Sequence, residues 1–253
     1  MRVMVVMNQK GGVGKTCTAQ NLPAGLARRG RRVLAVDLDP QANLSEGFGI
    51  QPEAVAASTY DVLIKGVPLA QIRVQVDGLD LAPANVHLAG AEVLLAAEAN
   101  GAQRLQASIR ALKGAYDYVV IDCPPALGQL TINALYAATE VLVPVQPEFY
   151  ALRGLRQLLE SIEKVRARRP EFRIVGILGT QVDMRKNLTR TVLDAIRKQC
   201  ADQMLNTVIR DNVALAEASA TGQSIFQYQP GSHGAEDYAA LAAEVIKQER
   251  RKA

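Results

Sequence analysis

A strand-like run at positions 2–7, apolar after Arg2 and with three valines, breaks into Asn8-Gln9-Lys10-Gly11-Gly12-Val13-Gly14-Lys15-Thr16, and a helical stretch follows at once. Few architectures accept that junction. Glycines between a strand and a helix let backbone N–H groups converge on one point, and the helix start adds about half a positive charge there. An anion such as a phosphate is the natural occupant. A glycine turn that merely packs a helix onto a sheet would need neither Lys15 nor Thr16.

The rest of the chain repeats this alternation. Short apolar runs at 2–7, 33–38, 79–82, 118–121, 141–145, 174–180 and 207–209 read as strands. Helical stretches are read at 15–29, 103–112, 130–138, 154–168, 188–200, 214–220 and 235–247. A βαβα rhythm predicts an α/β fold: a doubly wound, mostly parallel sheet of about seven strands with helices on both faces. The composition suits it, with 49% hydrophobic but only 4% aromatic residues. No repeat or linker divides residues 1–253, so a single domain is expected. Pro23 falls inside the first helix and should kink or shorten it.

The loop follows the phosphate-binding pattern G-x-x-x-x-G-K-[ST] except that Gln9 stands where the first glycine belongs. In that pattern the lysine, here Lys15, reaches the β- and γ-phosphates, and the hydroxyl of Thr16 binds Mg²⁺. A second lysine, Lys10, adds positive charge where a γ-phosphate would develop it. Acids complete the pattern. Alternation places Asp37 and Asp39 on one face at the end of the second strand, where ligands bind in such sheets. Asp122 closes the apolar run Tyr118-Val119-Val120-Ile121, as an acid that reaches Mg²⁺ through its water shell must. ATP and Mg²⁺ are therefore the expected cofactors.

The segment Lys10-Gly11-Gly12-Val13-Gly14-Lys15-Thr16 resembles the signature-lysine loop of the ParA/MinD superfamily of deviant Walker A ATPases. Asp37-Leu38-Asp39-Pro40-Gln41 and Asp122-Cys123-Pro124-Pro125 resemble its two switch segments, and Val143 to Leu152 resembles VPVQxExxAL. The likeness reaches Gly231, Gly234 and Tyr238 and is closest to the partition branch, ParA or Soj. It implies that Lys10 crosses a face-to-face dimer to the partner's nucleotide. It further implies that Asp39 orients the attacking water and that Asp37 supports the metal side, with Thr16 and Asp122. Lys10, Lys15, Asp39 and Asp122 form the implied catalytic set. Gly11, Gly12, Val13, Gly14, Cys17, Glu148 and Asn212 join the nucleotide site. Two departures stand out: Cys17 replaces the usual Thr, and Arg210, Asp211 and Ala214 stand where the branch has Pro, Arg and Arg.

Net charge is +4 with a pI of about 9.0. Basic groups lie at 28–32, 164–173, 185–198 and in the C-terminal tail. Arg185, Lys186, Arg190, Arg197 and Lys198 have few nearby acids in sequence, and cations so arranged suit non-specific DNA. No base-reading module is visible. The family implies a homodimer formed with ATP, a ParB-like or other cargo adaptor that stimulates slow hydrolysis, and a cytoplasmic, nucleoid-associated location. A MinD-like membrane role needs a bulky amphipathic C-terminal helix, and the Ala-rich tail has no aromatic residue after Tyr238. An ATP-dependent metabolic ligase needs a metabolite pocket, and glutamine amidotransfer a Cys–His pair, neither of which is marked. Cys17, Cys123 and Cys200 lack the spacing for zinc, for an iron–sulfur cluster or for disulfides.

Overall fold

The computed structural model describes residues 1–250, Arg250 through its backbone alone. In chain order the elements are β1 (Arg2–Val6), α1 (Lys15–Ala27), β2 (Val33–Asp37), α2 (Asn43–Gly47), α3 (Thr59–Lys65), α4 (Leu69–Ile72), β3 (Val74–Val76), β4 (Leu79–Ala82), α5 (Leu88–Ala97), α6 (Arg104–Ala111) and β5 (Tyr118–Asp122). There follow α7 (Gln129–Ala137), β6 (Glu140–Val145), α8 (Ala151–Arg168), β7 (Arg173–Val182), α9 (Asn187–Gln199), β8 (Met204–Arg210), α10 (Val213–Ala220), α11 (Ile225–Tyr228) and α12 (His233–Arg250).

The described strands form one sheet in the order β3-β4-β2-β5-β1-β6-β7-β8. Every neighbouring pair is parallel except β3 with β4. The sheet therefore has eight strands rather than about seven. The added one, β3, is three residues long, largely exposed and at the edge.

Period-two alternation splits the central strands between two cores. Val3, Val5 and Val36 face Leu88, Leu105, Leu130 and Leu158, while Met4, Val6 and Val120 face Leu22, Leu26, Tyr238 and Val245. Covering both faces is what lets these strands be apolar throughout. Truncating a fully buried leucine such as Leu22 would cost about 2–5 kcal/mol.

Helix α1 runs through Pro23 and stops at Ala27. Pro23 has no N–H to give the Ala19 carbonyl, yet it is buried and the helix continues for another turn around it. Helices α2 to α5 and α11 were not expected. At the end of the chain α12 packs on α1, and its Glu249 pairs with Arg31 at 2.8 Å and bonds the Tyr118 hydroxyl. Its end is thus pinned rather than only solvated. Arg251 and Lys252 of the C-terminal basic group lie outside the described residues.

Candidate nucleotide and active site

The carboxyl ends of β1, β5 and β2 lie side by side, with Val6 in register with Asp122 and Asp122 with Asp37. The glycine loop leaves β1 at this point. Gly12 and Gly14 take left-handed backbone angles (φ 73° and 81°) that side chains resist. Around Gly11 and Gly12 no atom comes within 4 Å of where a Cβ would stand, so the loop is an open cradle.

Its far side is tied down. Thr180 donates to the Val13 carbonyl (2.8 Å) and Gln181 to the Gly12 carbonyl (2.7 Å), both from the end of β7. Asn8 donates to the Pro144 carbonyl (2.7 Å) and accepts from the Lys10 amide (3.0 Å). Sequence reading missed Asn8, Thr180 and Gln181. Only Gln181 carries a local sign, a left-handed φ of 51° on a non-glycine residue, and that is visible in the structure alone. Lys15 is buried, its ammonium 3.0 Å from the Lys10 carbonyl across the mouth of the loop.

The three acids behave differently. Asp37 is wholly buried, and both its oxygens are taken: one accepts from the Asp39 amide (3.0 Å), the other from the amide (2.9 Å) and hydroxyl (2.7 Å) of Ser45. Burial pushes its carboxyl up to about 6 against those donors. The alternation argument for Asp37 and Asp39 fails, because β2 ends at Asp37. Asp39 lies in the loop beyond, where its carboxylate accepts from the Gln41 amide at 3.0 Å.

Asp122 is also wholly buried, but neither of its oxygens has a hydrogen-bond partner among the described residues. Burial first, then the charge of Asp37, pushes its carboxyl up to about 8, opposed by the side chains of Thr16 and Lys15. An unsatisfied buried carboxylate is costly to keep. With Thr16, Lys15 and the open cradle beside it, this set fits a hydrated divalent cation carrying a triphosphate. Such a cation, when bound, would neutralise phosphate charge.

Lys10 and Glu148 are both exposed, and the Lys10 ammonium pairs with the Glu148 carboxylate within this one chain. Next to Glu148, Phe149 and Tyr150 stand about three-quarters exposed in an edge-to-face pair with centroids 5.0 Å apart. The Tyr238 hydroxyl of α12 reaches the Cys17 sulfur at 3.4 Å and lies 3.2 Å from the Thr18 hydroxyl. Burial raises the Cys17 thiol. Asn212 caps α10 through its oxygen, which accepts from the Ala214 amide at 2.9 Å. Arg210 is clamped onto Asp237 of α12, with contacts of 2.6 and 3.0 Å.

The basic segment needs correction. Arg185 makes a two-armed pair with Asp183, Lys186 lies 3.9 Å from the same acid, and Arg197 lies 3.8 Å from Asp194. Acids only two or three residues away in sequence lie alongside three of the five cations. Arg190 and Lys198 are exposed and pair with no carboxylate among the described residues.

A doubly wound parallel sheet with a lysine-rich glycine loop after β1 and a buried acid at the tip of β5 defines a deviant P-loop nucleotide-binding protein. The profile of the AAA domain family matches residues 1–174. The chain is similar to the sporulation initiation inhibitor protein Soj of Bacillus subtilis, 45% identical over 96% of this chain and 98% of that one. It is 42% identical to the chromosome partitioning protein ParA of Caulobacter vibrioides, over 99% of this chain and 96% of that one. Among solved structures, cobyrinic acid a,c-diamide synthase of Mycobacterium smegmatis with bound ADP and magnesium superposes with a TM-score of 0.85. That match is 36% identical and covers 99% of this chain and 96% of the other. The chain belongs to the ParA/MinD superfamily, in its ParA/Soj branch.

Proposed function

We propose that the chain is a partition or positioning ATPase that takes up ATP with Mg²⁺, pairs with a second copy, and in that state holds DNA of any sequence until hydrolysis releases it. The observation that carries the ATPase reading is Asp122: a buried carboxylate with both oxygens free, at a strand tip beside Lys15 and Thr16. In this reading Lys15 grips the β- and γ-phosphates, Thr16 and Asp122 hold the hydrated cation, and Asp39 holds the attacking water. Asp37 serves from behind, because its oxygens already hold Ser45 and the Asp39 amide. It orients Asp39 through that amide and keeps one lone pair for the metal side. Glu148 and Asn212 flank the nucleotide, and the Lys10–Glu148 pair opens so that Lys10 reaches across to the second copy. The exposed Phe149–Tyr150 pair beside it supplies apolar surface for that contact.

The DNA contact rests on Arg190 and Lys198 first, with Arg185, Lys186 and Arg197 leaving their acids as phosphates replace them. A cargo adaptor stimulates hydrolysis, and the protein acts in the cytoplasm on the nucleoid. Among the described residues no helix is long and apolar enough to cross a membrane. The synthase named above is a whole-chain structural relative, and it keeps a ligase reading in view. Against it, the Cys17 and Cys123 thiols engage Tyr238 and the Val6 carbonyl, while His87 and His233 stand exposed at the starts of α5 and α12. Binding to DNA of arbitrary sequence, measured without nucleotide, with ADP and with ATP-Mg²⁺ at two salt concentrations, tests the proposal. Salt-sensitive binding only with ATP is expected; no binding in any state would end the DNA reading.

A further inference from the structure

The stretch from Cys123 to Gly128 joins Asp122 to α7, and it carries little support of its own. Gly128 occupies the N-cap position of α7 with no side chain to offer, and the first turn of the helix contains no acid. The missing cap comes from another helix. Glu92, on α5, accepts the Gln129 amide with one carboxylate oxygen and the Leu130 amide with the other, the latter at 3.3 Å. Two of the amides that a helix start leaves unpaired are thereby satisfied, and a negative charge faces the positive end of the helix. Gly128 makes the approach possible, since a Cβ there would collide with the Glu92 carboxylate.

The same turn holds the loop from inside. The buried Thr131 hydroxyl donates to the Ala126 carbonyl at 2.6 Å, and Asn133 ties α7 onward to the Gly101 carbonyl at 2.8 Å. A chain of contacts thus runs from α5 through Glu92 to the start of α7, and from Thr131 into the loop that ends at Asp122. Of these links Glu92 is the one that is charged, half-buried and contributed from 37 residues before Gln129.

We infer that Glu92 is a positioning residue for hydrolysis, setting the start of α7 and through it the loop that follows Asp122. The inference rests on the ATPase reading given above. A merely structural cap would lower stability and leave turnover alone; a positioning cap changes turnover at constant substrate affinity.

The test uses the full chain as wild type, Glu92→Ala and Glu92→Gln. Hydrogen exchange of the Gln129 and Leu130 amides without nucleotide is followed beside steady-state hydrolysis. Glu92→Ala should speed exchange at those two amides about tenfold, the scale of a lost cap. It should also lower kcat severalfold with KM for ATP unchanged, and Glu92→Gln, whose single carbonyl oxygen can accept in place of one carboxylate oxygen, should recover part of both. Faster exchange with unaltered kcat would overturn the inference, as would exchange that does not change. A wild-type protein without ATPase activity would bring down the ATPase reading and this inference with it, and the exchange data would then report the cap alone.

Discussion

Asp122 and Glu140 are both completely buried carboxylates at the ends of β5 and β6, the two strands that flank β1, and their surroundings could hardly differ more. Glu140 opens β6 at the amino end of the sheet, where Arg2 donates to it at 2.7 Å and Arg173 at 3.0 Å. Asp122 closes β5 at the opposite end and makes no hydrogen bond of normal geometry among the described residues, with only the Thr16 side chain and the Lys15 charge beside it. One end of the sheet satisfies its buried charge within the chain; the other leaves it open to something from outside. Buried charge is expensive wherever it lies, so the open acid, not the paired one, marks where a ligand is expected.

The sharpest break of this comparison is Lys15→Ala. If the open end is a phosphate site, ATP affinity should fall at least about 100-fold in a direct binding titration, as loss of a desolvated charge contact implies; retained affinity would remove the loop from that role. Next, Asp39→Ala should keep ATP binding and lose turnover by about 100-fold, the scale of a lost general base or water-orienting group. Wild-type hydrolysis in that variant would take Asp39 out of the reaction. At the paired end, Glu140→Ala should destabilise the chain by about 3 kcal/mol in urea unfolding, because it strands the largely buried Arg2, whereas Arg173 is half exposed. ATP affinity should be nearly unchanged in whatever fraction is folded.

The two acids should also part in their pH response without nucleotide or metal. The folded-state value for Asp122 is about 8, well above that of a free carboxyl, so the folded chain keeps a proton that the unfolded chain has lost. Stability should then fall as pH rises from about 4 toward 8, with Asp37, at about 6, adding to the lower part of that window. In EDTA, Asp122→Asn should flatten the decline in Tm between pH 6 and 8; an unaltered slope would show that Asp122 is ionised there. The smallest effect is expected far from both ends. Arg185→Ala, Lys186→Ala and Arg190→Ala together should weaken ATP-dependent DNA binding about tenfold at moderate salt, because two of the three already pair with Asp183. Unchanged affinity would move the DNA surface elsewhere.

Much of the fold was legible because its central strands are short apolar runs and helices α8 and α9 carry a clear apolar stripe. The seven expected strands are all present: β4 has the expected bounds, β1, β2, β5 and β6 differ by one residue at an end, and β7 and β8 are longer by three and four residues. What escaped has physical reasons. Strand β3 is three residues with little to bury, and its place is set by antiparallel pairing with β4. Helix α3 did carry a local sign, the capping box of Ser58 and Asp61, which went unread. Helix α5 is nearly all apolar, so no polar face marks its period. In the site, the loop and its acids stand in sequence order, whereas Thr180, Ser45, Glu92 and the pairing of Lys10 with Glu148 depend on contacts between segments that only the folded sheet brings together. The basic segment shows the reverse error: Asp183 and Asp194 were in plain view, and their neutralising geometry was not.

The seam between α1 and α12 bears on how the chain is made. Thr18 and Tyr238 lie 220 residues apart in sequence, and a Cβ on Gly25 would come within 3.1 Å of Ala242 and 3.3 Å of Phe226, tighter than an ordinary contact. During synthesis the glycine loop and both early acids leave the ribosome long before the helix that covers α1 exists. Until then Leu22 and Leu26 lack the cover of that helix, and Thr180, which anchors the loop, is itself made 167 residues after Val13. The region matching the AAA domain, residues 1–174, therefore carries the glycine loop, Asp37, Asp39 and Asp122 but neither Thr180 nor α12. A nascent chain of that length should expose an apolar helix face and bind nucleotide poorly, and competence should arrive only as the last helix docks, a late, long-range closure of the kind that slows folding.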